Sequence, residues 1–275
     1  MSNKYVSLPG LSRFLNRLLA IFAKTSDLDV YVKKINNPFR VGTGVSSACQ
    51  KNASSSNTSS GESSIALGLG TTASGPASTS SGKFTKASGS GSHSEGNGSG
   101  NMQDGSGRAY QGATGENSHT EGTRTDAAGH SSHAEGFETQ ATKNRAHAEG
   151  LYTIAEGLNS HAEGQKTRAS GDNSHAGGRY TVANNLAEFA AGSYNASKKA
   201  STAFGNAGNT HFSLGIGTSN EGRKNAIEVM QNGDLYVIGL GGYDGTNAGS
   251  SGVKSFQTYI NTLIGDALDE YYPQS

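Results

Sequence analysis

The sequence predicts an all-β fold: a parallel β-roll of 14-residue repeats with a short helix near each end. Three observations point there. One phrase recurs on a fixed step, each step has the layout of a strand plus a turn, and large apolar side chains are scarce.

The step comes first, because a self-similar period decides the architecture. Ser118-His119-Thr120-Glu121-Gly122 is followed by Ser132-His133-Ala134-Glu135-Gly136 and Ala146-His147-Ala148-Glu149-Gly150. Ser160-His161-Ala162-Glu163-Gly164 and Ser174-His175-Ala176-Gly177-Gly178 continue it, with the histidines fourteen residues apart every time. Midway lie weaker copies of the slot, among them Asp126-Ala127-Ala128-Gly129, Ile154-Ala155-Glu156-Gly157 and Arg168-Ala169-Ser170-Gly171. Phe189-Ala190-Ala191-Gly192 extends the series. The unit is therefore about seven residues, and two units make one repeat.

Seven residues are too few for a helix that turns back on itself, and the glycine density disfavours helix. They suit a strand of four or five residues followed by a glycine-assisted turn. Side chains alternate along a strand, so His119 and Glu121 share one face while Ser118, Thr120 and Gly122 share the other. Two such strands close one coil with two parallel sheets, and coils stack ~4.8 Å apart. Proline is absent from 112–205, as internal strands require.

Composition then says what holds the coils together. Forty of the 275 residues are Gly, none is Trp, and between Ser90 and Gly150 the large apolar side chains are Met102, Tyr110 and Phe137 alone. Ordering a residue costs roughly 1–2 kcal/mol of backbone entropy, and burying methyl-sized groups returns less. The missing stabilisation is expected from other copies of the chain. A disordered chain has no reason to keep a fixed step. The formal net charge is zero, which argues against nucleic acid or an anionic membrane as partner. Cys49 stands alone, excluding an intrachain disulfide framework and a cysteine-based zinc site. No apolar run approaches the ~20 residues of a membrane span. The brief apolar run 18–23 follows Arg13 and Arg17 and does not read as a secretory leader.

The Ser-x-Ala-x-Gly slots, with Ser64-Ile65-Ala66-Leu67-Gly68 as their aliphatic form, resemble the head repeats of trimeric autotransporter adhesins of the Yersinia type. The His-Ala-Glu-Gly form resembles repeats of bacteriophage tail proteins. The resemblance covers about residues 63–215 and implies a left-handed parallel β-roll and a homotrimer.

Taken in order, residues 1–24 read as an attachment and trimerisation segment. Lys4-Tyr5-Val6-Ser7-Leu8 is extended, Pro9-Gly10 stops it, and a helix over 11–24 carries Leu11, Phe14, Leu15, Leu18, Leu19 and Phe22 on one stripe. This opening resembles the start of phage tail appendage proteins. Residues 25–62 hold a strand, Asp27-Leu28-Asp29-Val30-Tyr31-Val32, and a Ser/Asn-rich linker around 50–61.

The β-roll is assigned to 63–217. Its first slots open at Ile65, Thr72, Thr79, Lys86 and His93, seven apart. His119 follows His93 by 26 residues, two short of 28, so 97–111 is expected to hold a register break in an irregular loop. After Gly192 the step falters at Thr202-Ala203-Phe204-Gly205, and Phe212-Ser213-Leu214-Gly215-Ile216-Gly217 closes the array. The count is roughly nine or ten coils, a rod of about 45 Å.

Residues 218–252 follow as a hairpin and a Gly-rich hinge. Ile227-Glu228-Val229-Met230 and Leu235-Tyr236-Val237-Ile238 flank Asn232-Gly233, a strong hairpin signal. The phrase also resembles one near the ends of phage tail fibres. Residues 253–275 predict a trimeric helix whose seam is Val253, Phe256, Ile260, Leu263 and Ala267.

The His-x-Glu ladder of His119, Glu121, His133, Glu135, His147, Glu149, His161, Glu163 and His175 is the only feature that suggests site chemistry. Around a threefold axis, three copies of each histidine could ligate zinc or nickel. The reading adopted is a hydrogen-bonded structural ladder at the contact between chains, with no metal and no cofactor. Five equivalent spots argue against an active site, so the chain is expected not to be an enzyme. Stacked imidazolium charges repel, so acid is expected to weaken the assembly. The half-repeat slots carry Asp126, Gln140, Ile154, Arg168 and Val182, so the second sheet is the varied one, expected to face solvent or receptor.

The functional expectation is a homotrimeric, fibrous phage tail protein on the virion, with structural and receptor-binding roles. Its partners would be its own copies, other tail proteins through the N-terminus, and a host-surface glycan or protein. A bacterial cell-surface trimeric adhesin is the alternative, and a polysaccharide-degrading tailspike the third.

Overall fold

A computed structural model describes residues 39–44, 47–50, 57–98, 102–103, 109–110, 112–199 and 201–271. The expected strand and helix of 1–24 and the strand at 27–32 lie outside these residues, as does the 51–56 part of the 50–61 linker. The rest forms a two-sheet parallel solenoid. The step of fourteen residues survives in the pairing: His119 pairs with His133, His133 with His147, His147 with His161 and His161 with His175, each side by side in parallel strands.

The main sheet has fourteen strands. It runs parallel from Ala48–Gln50 through Ile65–Leu69, Thr79–Lys83, His93–Ser94, His119–Thr123, His133–Phe137, His147–Leu151, His161–Gln165, His175–Arg179 and Phe189–Ser193 to Thr210–Ile216. Phe39–Val41 caps one edge antiparallel, and Asn225–Met230 with Leu235–Val237 extend the other. The second sheet is nine parallel two-residue strands, from Thr58–Ser59 to Val182–Ala183, one per coil. The ladder therefore starts ahead of position 63, inside the stretch read as a linker.

The fourth residue of each five-residue strand is a glycine that no other residue could replace cheaply. Gly150 sits at φ +107°, and a Cβ there would lie 2.2 Å from the carbonyl oxygen of Gly164 in the next coil. The corner residue that follows is left-handed even where it is not glycine, as in Tyr152 and Tyr180.

The interior is as narrow as the composition implied. A column of fully buried alanines, including Ala134, Ala148, Ala162 and Ala176, runs down it. Buried serines face the same space, and Ser118, Ser132, Ser160 and Ser174 each donate to the carbonyl three residues back. Larger apolar groups sit outside: Ile65 is 40% exposed, Phe84 50% and Phe189 42%.

The break at 97–111 leaves the stacking intact. His93 pairs directly with His119, and Ala87 with Ala113, while Met102–Gln103 and Ala109–Tyr110 form a two-stranded antiparallel ribbon between them. At the other end, Thr202–Gly205 is no strand. The Asn195 side chain takes a peptide's place there, accepting from Val182 N at 2.7 Å and donating to Val182 O at 2.9 Å. Asn225 does the same to Ala196. The chain then re-enters the main sheet at Thr210 and turns through the expected hairpin, with Gly233 at φ +93°.

Met230, Tyr236, Tyr243 and Ala248 form a compact cluster with Ile238 and Val253 packed on it. Val253 is thus a core contact of its own chain and precedes the helix, which spans Phe256–Tyr271 and not 253–271. No residue of that helix is buried; Phe256 and Leu263 are 37% and 46% exposed. No helix among the described residues is long and apolar enough to cross a membrane.

Candidate functional site: an imidazole and carboxylate stripe

The outward face of the main sheet carries the site. The alternation that buries Ser118 and Thr120 turns His119 and Glu121 outward, and the in-register stack repeats this in every coil. His119, His133, His147, His161 and His175 form one column, with neighbouring ring centroids 4.7–4.8 Å apart. The three central pairs are stacked within 11°, 3° and 2° of parallel. His93 adds a sixth ring at 4.9 Å, which the 26-residue gap concealed in the sequence; Phe189 and Phe212 continue the column as hydrocarbon.

Glu95, Glu121, Glu135, Glu149 and Glu163 form a second column beside it. Carboxylates approach the Nε2 atoms of His93, His133 and His161 at 3.7 Å, too long for a hydrogen bond. His175 reaches Glu163 at 3.2 Å and makes the one hydrogen bond between the columns that the geometry places. The Nε2 atoms of His119, His133, His147 and His161 are all screened from solvent without a hydrogen-bond partner. The expected hydrogen-bonded ladder is thus made at a single rung.

Electrostatics follow the crowding. Burial pushes His133 below the ordinary imidazole value, and the neighbouring His119 and His147 push it further; Glu135 and Glu121 only partly offset this. Burial likewise lowers His161, with His147 and His175 adding to it. His133 and His161 are therefore both held toward the neutral form, the one that binds a metal.

Of the expected seam, Phe256, Ile260, Leu263 and Ala267 lie on the C-terminal helix, far in sequence from the stripe, while Val253 does not. A second surface was not foreseen. The left-handed corners align Tyr152, Lys166, Tyr180 and Tyr194. Lys166 Nζ lies 5.4 Å and 5.1 Å from the rings of Tyr152 and Tyr180, and Arg179 lies between 5.3 and 5.4 Å from Tyr180 and Tyr194. Its signal was present, since tyrosines recur fourteen or twenty-eight residues apart, but no strand slot contains them. Compared with known protein families and curated proteins, the chain matches no family model and no curated protein.

Proposed function

We propose that this chain is a structural and receptor-binding protein of a bacteriophage tail, working as a homotrimeric fibre or appendage. One observation carries the reading: the solenoid is built inside out. Its interior holds Ala, Ser and Thr, while Ile65, Leu69, Phe84, Phe137, Phe189, Leu214 and Ile216 stand on the outside, each at least 36% exposed. The C-terminal helix repeats the pattern with Leu263, Ile264 and Leu268 uncovered. Apolar side chains distributed along a whole rod favour lateral association of identical rods. The tail assignment rests on the His-Ala-Glu-Gly repeats and the Asn-Gly hairpin. The row of tyrosines and cations offers a surface for a host glycan or protein.

Sedimentation of the purified chain is expected to give the mass of three copies, and gold-labelled antibody is expected to decorate the tails of virions. A folded species with the mass of one copy refutes the assembly. Labelling of bacterial cells and not of virions shifts the reading to a surface adhesin.

A further inference from the structure

We propose that the stripe binds zinc-like divalent ions within a single chain, at up to two ions per copy. Four sets of donors lie on it: His93, Glu95, His119; His119, Glu121, His133; His133, Glu135, His147; and His147, Glu149, His161. In each set, the two imidazole nitrogens and one carboxylate oxygen lie within 4.8 Å of one another. Bonds of roughly 2.0–2.2 Å to a tetrahedral zinc ask for donors about 3.4 Å apart. Closing that gap takes a tilt of the rings toward one another and a swing of a flexible glutamate. The fold already permits the tilt: the His93 and His119 rings are inclined by 34°, while His147 and His161 are inclined by 2°.

The chemistry of the donors selects the ion. Two imidazoles and one carboxylate suit zinc, nickel or copper, whereas calcium and magnesium prefer oxygen throughout. Three protein donors leave one position for water or for an outside ligand. The second line of evidence is independent of spacing. The Nε2 atoms of His119, His133, His147 and His161 are withdrawn from solvent and make no hydrogen bond.

Adjacent sets share a histidine, and one Nε2 serves one ion. The four sets can therefore fill only in non-adjacent combinations, two at a time. This sharing makes the proposal unusually easy to test. Removing His119 leaves only the two sets that share His147, hence one ion. Removing His147 leaves only the two that share His119, again one. Removing His133 leaves the first and last sets, which share nothing, hence two.

The full chain is stripped with chelator and titrated with zinc chloride by calorimetry, and bound zinc is counted by atomic emission. Two ions per chain are expected for the wild type and for His133→Gln. One is expected for His119→Gln and for His147→Gln, and none on the stripe for the double variant His119→Gln/His147→Gln. His133→Gln is the folding control, since it changes the same column without changing the count. A wild type that binds no zinc overturns the proposal, as does a double variant that keeps the wild-type count. A fall to one ion in His133→Gln overturns the alternating assignment. Because each set belongs to one chain, none of these outcomes depends on the trimer or on the tail assignment.

Discussion

His93 and His119 are direct register partners with ring centroids 4.9 Å apart, although twenty-six residues separate them in the chain. Gly98, at φ +71°, turns the same corner that Phe84 and Arg124 turn in the coils on either side. Gly112 and Ala113 then resume the short sheet. Deleting residues 99–110 shortens the span from twenty-six to fourteen and joins Gly98 to Gln111 in the standard coil. The variant is expected to melt at or slightly above the wild-type temperature, because loop closure contributes only weakly with length. Deleting 99–109 instead leaves one residue too many and strains the coil across the join. That variant is expected to lose stability in thermal unfolding followed by circular dichroism.

Two glycines in adjacent positions of the repeat should respond very differently. Gly150→Ala places a Cβ 2.2 Å from a backbone oxygen at φ +107°, and a loss of about 3 kcal/mol or more is expected in denaturant unfolding. Gly177 has an ordinary φ, and its nearest obstacle is the movable Glu163 carboxylate at 2.9 Å. Gly177→Ala is expected to stay within about 1 kcal/mol of wild type, on either side.

Glu188 stands where earlier coils have Ser160 and Ser174. Its Oε2 accepts from the backbone of Asn184 and Asn185 at 2.8 and 2.9 Å and from Ser197 at 2.9 Å, while Oε1 is buried without a partner. Burial outweighs those donors and raises the carboxyl from 4.5 to about 7. A raised pKa stabilises the fold below the unfolded value and loses that contribution as pH rises to the folded one. Glu188→Gln mimics the protonated form. Its stability relative to wild type is expected to climb by roughly 3 kcal/mol from below pH 4.5 to above pH 7, read from denaturation midpoints across pH.

Two histidines of the column work in the opposite direction. His133 and His161 have values lowered from 6.5, so their contribution is present above about 6.5 and is lost as pH falls through the lowered values. Over the acid range this loss is partly masked by Glu188. In the Glu188→Gln background, acidification is expected to lower the melting temperature visibly. Adding His133→Gln and His161→Gln should flatten that limb, and an unchanged slope would remove the column as its cause.

Leu263, Ile264 and Leu268 are exposed on a helix none of whose own residues is buried. Leu263→Asp with Leu268→Asp is therefore expected to leave the circular dichroism of the solenoid unchanged while lowering the sedimenting mass. Loss of the solenoid signal as well would mean that the solenoid depends on this helix.

The slots were legible because a roll this narrow keeps mostly Ala, Ser and Thr inside, and Gly at the close approach. Ile65, Thr79 and His93 open strands of the main sheet and Thr72 and Lys86 strands of the second, at the positions where the seven-residue step puts them. The hairpin at Asn232-Gly233 was equally plain, because its turn chemistry is local. What escaped was set by single polar contacts. Asn195 replaces a strand by offering its side-chain amide to Val182, and nothing in its neighbours announces that. His93 belongs to the column although sequence distance hides the adjacency. Val253 fitted a helical period, yet Met230, Tyr236 and Tyr243 claim it for a different core.

Gly136, Gly150 and Gly164 meet one another through the same backbone approach at each level, so every interior coil sees the same floor and ceiling. Duplication or loss of one whole unit would present no foreign neighbour to either side. Length is thereby separated from the chemistry of the ends: unequal exchange between repeats would lengthen or shorten such a rod while both of its ends stayed as they are.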